Sequence, residues 1–215
     1  HFAFDEVVNE DGQTLDDTTR YMAIIATLLG CQGIDEFRLV LPRALDAGLT
    51  PVMTKEIIYQ AVDYLGIGRV LPFLDASNEI LEKRGVKLPL EGQATTTMED
   101  RLEKGAAAQA EIFGDQMKEA WKAGHINRWL AANCFGDYYT RNGLNDRQRE
   151  MITFCFILAQ GGCENQLRGH TAGNIMAEND KSKLYSIVEQ CMSYIGYPRT
   201  LNAMNIIDEV VDQLS

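Results

Sequence analysis

The sequence predicts an all-α protein made of two tandem helical repeats. Three observations lead there. Apolar residues recur at helical rather than alternating spacing. Only five prolines interrupt 215 residues. The two halves also share their order of helix starts, glycine breaks and helix ends.

Asp16 or Asp17 caps a first helix through Tyr21, Met22, Ile24, Ile25, Leu28 and Leu29, apolar almost all round and therefore central. Gly30 to Gly33 break it, and a second helix runs from Asp35 to Ala47, before Gly48. Thr54 is the expected cap of a third, with Ile57, Ile58, Ala61, Val62 and Leu65 on one face up to Gly66. A fourth is expected from Arg69 to Arg84, with Leu71, Leu74 and Leu81 inside and Pro72 in its first turn, where a missing N–H costs little. Residues 85–98 carry no sustained period and read as a linker.

Helical patterning resumes near Glu99 and runs to Phe113, followed by a segment around Gln116 to Ala123 and a helix from Ile126 to Tyr139. Asn145, with Gln148 three residues on, forms a capping box for the long apolar helix that ends at Gly161-Gly162. Cys163 opens the next helix, which fades near Glu178. Lys181 to Ile195 repeats Leu184, Ile187, Val188, Cys191, Met192 and Ile195, and Gly196 stops it. Pro198 starts the last helix, with Leu201, Met204, Ile207, Val211 and Leu214 as its expected inner face.

The halves correspond residue by residue. Leu15, Asp17, Arg20, Met22 and Gly33 match Leu144, Asp146, Arg149, Met151 and Gly162 at a constant offset. After a one-residue slip, Arg38, Gln60, Gly66 and Glu79 match Arg168, Gln190, Gly196 and Glu209. This divides the chain into a degenerate structural repeat (1–84), a linker (85–98) and a second repeat (99–215) that carries the candidate site. The chemistry is lopsided. Tyr21 stands opposite Glu150, Ile34 opposite Cys163, and Val40 opposite His170. A site would therefore belong to the second repeat.

A hydrophobic fraction of 46% supports a sizeable core. A net charge of −11 argues against nucleic-acid or anionic-membrane partners, which need clustered Lys and Arg. No apolar run reaches the roughly 18 residues of a membrane span. The five cysteines, at 31, 134, 155, 163 and 191, are odd in number, widely spaced and without a Cys-x-x-Cys, which suits a reducing cytoplasm. Three histidines without a shared short spacing predict no metal site. The sequence opens on His1 rather than Met, an opening expected of a chain that is trimmed, processed or preceded by further residues.

Chemistry concentrates between Glu150 and His170. An apolar segment from Met151 to Ala159 ends at the paired glycines, and Cys163, Gln166, Arg168 and His170 follow within eight residues. Glycine reaches φ > 0 without steric cost, so the chain can fold back there and bring Glu150 toward the next helix. Cys163 falls at a helix N-terminus, where the dipole favours thiolate. His170 lies about 10 Å further along that helix, too far to activate Cys163 directly. Gln166, four residues before His170, is placed to orient the imidazole. The plainer readings are a first-turn acid for Glu150, a satisfied core histidine for His170 and a small buried residue for Cys163. Arg149 and Arg168 have counterparts in the first repeat, which favours ion-pair roles for both.

The run from Phe135-Gly136 through Arg141-Asn142-Gly143-Leu144-Asn145-Asp146-Arg147-Gln148-Arg149-Glu150, with Gly161-Gly162-Cys163-Glu164-Asn165-Gln166-Leu167-Arg168-Gly169-His170 and Tyr194-Ile195-Gly196-Tyr197-Pro198-Arg199, resembles the carboxymuconolactone decarboxylase family, which includes the alkylhydroperoxidase D-like proteins. The resemblance covers about 99–214 well and 4–81 as a degenerate copy. It implies an all-helical fold and a homo-oligomer, trimeric or hexameric. It also implies a site of Glu150, Cys163 and His170 that works on a small molecule without a cofactor. The peroxidase branch resembles Glu followed by Cys-x-x-Cys-x-x-x-His, and here the second cysteine position is Gln166. A sulfenic acid at Cys163 then lacks its resolving partner.

The leading expectation is a decarboxylase-like lyase on a small carboxylated or lactone substrate. Glu150 and His170 would do acid–base work, Arg168 or Arg149 would hold the carboxylate, and Cys163 would line the pocket. The alternatives are a Cys163-dependent peroxidase using an external thiol and a non-catalytic oligomeric scaffold.

Overall fold

Asp16 accepts a hydrogen bond from the Thr19 N–H and starts α1 (Asp17–Gly30), in which every residue from Met22 onward is buried. The computed structural model describes residues 1–214, and every regular element among them is helical. α2 (Ile34–Asp46), α3 (Pro51–Leu65) and α4 (Ile67–Lys83) complete the first half. The second half holds α5 (Arg101–Phe113), α6 (His125–Trp129, continuing as a π-helical stretch Leu130–Tyr139), α7 (Asp146–Gln160), α8 (Glu164–Met176), α9 (Lys181–Ile195) and α10 (Tyr197–Leu214). Short 3₁₀ turns at Asp115–Met117 and Ala120–Ala123 occupy the expected segment between α5 and α6.

α1 and α7 pack against each other at the centre, and one apolar core runs across both halves. Ile25, Leu28 and Leu29 of α1 share it with Phe154, Phe156 and Leu158 of α7, together with Phe37, Ile57, Ile187 and Ile207. Burying each such side chain stabilises the fold by about 1.5–3 kcal/mol. The expected linker is tied down rather than free. Thr95 and Thr96 hydroxyls donate to the carbonyls of Thr140 and Gly136, and the Asn142 N–H donates to Gln93 O.

A second, smaller core of Ile112, Cys134, Phe135 and Tyr139 joins α5 to α6. These helices touch backbone to backbone. A Cβ on Gly105 would overlap the Ala131 carbonyl, and one on Gly136 would overlap that of Arg101. Glycine at both crossing points sets the distance at which Phe113 and Phe135 meet edge to face, centroids 5.9 Å apart.

Several expected boundaries shift for local reasons. Thr50, not Thr54, caps α3, accepting from the Met53 N–H with Pro51 in the first turn. α4 begins at Ile67, two residues before the expected start, so Pro72 lies inside the helix. The buried face is Val70, Phe73, Ala76, Ser77 and Leu81, and Leu71 lies outside it, 49% exposed. α10 behaves likewise, with Leu201 and Leu214 outside (56% and 52% exposed) and Thr200, Ala203, Ile206, Ile207 and Val210 inside. The Asn145–Gln148 capping box is present with both reciprocal hydrogen bonds, at 2.9 and 3.0 Å.

Candidate active site

α7 ends at Gly161-Gly162, each with φ 71°, a conformation that L side chains rarely adopt. The chain turns there and α8 returns alongside α7, with Cys163 as its N-cap residue. Asn174 on α8 fixes the register. Its side-chain amide donates to the Glu150 carbonyl (2.9 Å) and to the His170 carbonyl (2.7 Å), and it accepts from Asn179 (2.8 Å).

In this register Glu150, fully buried, meets His170, with Oε2 2.9 Å from Nδ1. The other carboxylate oxygen, Oε1, accepts from the Tyr139 hydroxyl at 2.7 Å. Gly173 makes the room, because a Cβ there would overlap Glu150 Oε2. Behind the carboxylate, Tyr139 also pairs with Thr153 (3.0 Å), which accepts from Gln60 of α3 (2.8 Å). The Tyr64 hydroxyl donates to that of Tyr139 (3.2 Å). Burial first, and then the neighbouring Glu150 and Cys134, holds both phenols well above their ordinary range, so they stay neutral donors.

An acceptor-only carboxylate assigns the Nδ1 proton to His170. The imidazole then keeps Nε2 as the free base. Its ring is held between two aromatic edges, Tyr64 and Phe113, each with its centroid 5.5 Å away. It forms one wall of a cavity of about 680 Å³, shared with Asp63, Tyr64, Phe113, Phe135, Gln160, Cys163 and Gln166. The buried Cys134 thiol, beside Tyr64, is pushed well above its ordinary range by burial and by Asp63.

Residues 125–209 match the model of the Carboxymuconolactone decarboxylase family. The match covers the C-terminal part of the chain, which is similar to that family there. The chain is also similar to the 4-carboxymuconolactone decarboxylase of Acinetobacter baylyi, 25% identical over 130 residues that take in 54% of this chain and 90% of the relative. Glu150, Cys163, Gln166 and His170 all fall within the carboxymuconolactone decarboxylase span, whereas Asp63, Tyr64 and Phe113 precede it.

Glu150 and His170 come together as the sequence implied. Cys163 borders the cavity, where its sulfur accepts from the Gln160 side chain at 3.3 Å. No hydrogen bond joins Cys163 to the Glu150–His170 pair among the described residues. Gln166 also borders the cavity, but the partner that orients the imidazole is Glu150 rather than Gln166.

The two arginines do not reach the cavity. Arg149 precedes Glu150 by one residue, about 100° around the helix, and points away from the cavity toward α3. It is fully buried on Glu56 (3.2 Å), Gln60 Oε1 (2.8 Å) and the carbonyls of Arg141 (2.8 Å) and Asn142 (3.2 Å), where it pins the loop before α7. Arg168 pairs with Glu209 at 3.0 Å on the surface, as Arg38 does with Glu79 at 2.7 Å. The first half also reaches the cavity. α3 packs on α7 and α6, so its last turn brings Asp63 and Tyr64 to the cavity wall.

Tyr139 is a site residue that is not nominated from the sequence. A buried phenol needs a hydrogen-bond partner, and that requirement was the available signal. Among the described residues no three of His, Cys, Asp and Glu gather as a metal-ligand set, and no helix is long and apolar enough to cross a membrane.

Proposed function

We propose that this protein is a cofactor-free lyase of the carboxymuconolactone decarboxylase type, in which Glu150 and His170 move the proton on a small lactone or carboxylated ring. The observation that carries this reading is the 2.9 Å pair between buried Glu150 and His170, with the imidazole forming a cavity wall. Glu150 holds the Nδ1 proton and stabilises the imidazolium that forms when Nε2 is protonated. In decarboxylation the C–C bond breaks, carbon dioxide leaves, and the electron pair passes to the lactone carbonyl. Nε2, protonated from solvent before the step, then delivers that proton to carbon.

The cavity wall carries no Arg or Lys, so a substrate carboxylate is held by neutral donors such as Gln109, Gln116, Gln160 and Gln166. Turnover of 4-carboxymuconolactone, followed as carbon dioxide release, tests the reading. Wild-type protein turns it over, and His170→Ala loses about a hundredfold or more while keeping its helical content. Full activity in that variant removes the dyad from the mechanism.

A second reading has one observation behind it: Cys163 borders the same cavity. As a peroxidase the protein would use Cys163 with an external thiol, since position 166 is glutamine. Peroxide-dependent oxidation of an added thiol, lost in Cys163→Ser, decides for it.

We also infer an internal duplication. Its support is the matched pairs Arg38–Glu79 and Arg168–Glu209 and the matched turns at Gln32 (φ 62°) and Gly161 (φ 71°). A homo-oligomer, trimeric or hexameric, is proposed with it. Exposed Leu39, Ile67 and Leu71 of the first half, with Tyr197 and Leu201 of the second, are its candidate contacts, and light scattering gives the copy number.

A further inference from the structure

Asp63 sits in the last turn of α3, outside the family span, and borders the same cavity as His170. Its carboxyl oxygen Oδ2 is buried with no hydrogen-bond partner. A buried, unpaired carboxylate oxygen is costly, so such a group either holds a proton or awaits a partner. Two features besides burial favour the proton. The last turn of a helix presents carbonyls, which repel a carboxylate. Asp137 of α6 faces Asp63 with a like charge, while Arg101 of α5 attracts it more weakly. Against them, the Cys134 thiol of α6 hydrogen-bonds the Asp63 carboxyl and favours its charged form, while Tyr138 of α6 and Tyr64 beside it on α3 are un-ionised.

We propose that Asp63 is a second proton-transfer group of this cavity, an acid supplied by the N-terminal half that protonates the substrate's carbonyl oxygen while His170 works at carbon. The proposal rests on the acid–base reading above. Burial and Asp137 push the Asp63 carboxyl up to about 7, so both forms exist near neutrality. On a lactone the step is balanced. Nε2 takes a proton from the carbon γ to the carbonyl. The electron pair moves through the double bond to the carbonyl oxygen, and that oxygen takes the Asp63 proton. On return the imidazolium gives a proton back to carbon and Asp63 recovers its own. In decarboxylation the carbonyl oxygen receives the electrons of the broken C–C bond and takes the same proton, which returns to Asp63 when carbon is protonated.

Two measurements on the full chain test this. The first is the infrared carboxylic-acid band of wild type minus Asp63→Asn. A band present on the acid side and fading through about pH 7 is expected; superimposable spectra overturn the proposal without any substrate. The second is deuterium exchange at the γ carbon of γ-crotonolactone, followed by proton NMR. Wild type accelerates the exchange, Asp63→Asn slows it about a hundredfold with lactone binding retained, and Asp63→Glu restores part of it. Exchange lost in His170→Ala but unchanged in Asp63→Asn overturns the role of Asp63 alone. Exchange unchanged in His170→Ala, or no acceleration by wild type, overturns the acid–base reading beneath it as well.

Discussion

Gly173 leaves the space that the Glu150 carboxylate fills. A methyl group there would overlap Oε2, the oxygen that holds His170, and would also press on Phe113. Alanine in place of an interior helical glycine normally stabilises by about 0.5–1 kcal/mol. Here the overlap reverses that gain: Gly173→Ala is expected to lower stability by about 1–3 kcal/mol in denaturant unfolding, and lactone exchange falls at least about tenfold as the dyad is displaced. Unchanged exchange would show that Glu150 does not depend on this space.

Tyr139 supplies the hydrogen bond on the opposite side of the same carboxylate. Tyr139→Phe keeps the ring and leaves Glu150 Oε1 buried without that donor. The expected cost is about 1–3 kcal/mol of stability, read from urea unfolding, together with slower exchange. An unchanged midpoint would mean that Thr153 or water takes the place of the phenol.

The two sequence-nominated arginines should behave oppositely. Glu56→Gln leaves the fully buried Arg149 guanidinium without its ion-pair partner, which costs about 3–5 kcal/mol. Arg168→Ala removes only a solvent-screened surface pair with Glu209 and leaves stability and turnover near wild type. A large activity loss in Arg168→Ala with normal unfolding would return that residue to the site.

Asp63 gives stability a pH dependence of definite sign. Its carboxyl is raised from the ordinary 3.8 to about 7, so the folded state binds more protons than the unfolded one between those values. Stability from this group is full on the acid side and is lost as pH rises through about 7, by an amount on the order of 2–4 kcal/mol. Asp63→Asn should flatten that part of the curve and unfold later than wild type in mild alkali. Parallel curves for the two proteins would contradict the shifted carboxyl.

Much of this was legible in the sequence, for local reasons. Asn145 and Gln148 announce a capping box, and Gly161-Gly162 can only turn the chain back, so Glu150 and His170 face each other as a consequence of two adjacent signals. The partners that arrive from afar left no such trace. Tyr139 comes from α6, and Asp63 and Tyr64 come from α3, so their meeting depends on how helices pack across the two halves. Arg149 is not a site residue because, one position from Glu150, it lies about 100° around α7 and meets Glu56 and Gln60 of α3 instead. Leu71 lies outside because the stripe of α4 that packs inward is the one through Val70, Phe73 and Ser77, and which stripe faces the core is decided by tertiary packing.

The most direct measurement is the nitrogen-15 NMR signature of the His170 ring, assigned with His170→Ala. The arrangement described here predicts a neutral imidazole protonated at Nδ1 and bare at Nε2, with that preference lost in Glu150→Gln. A ring protonated at Nε2 and bare at Nδ1, indifferent to Glu150→Gln, would contradict it and leave the cavity without its base.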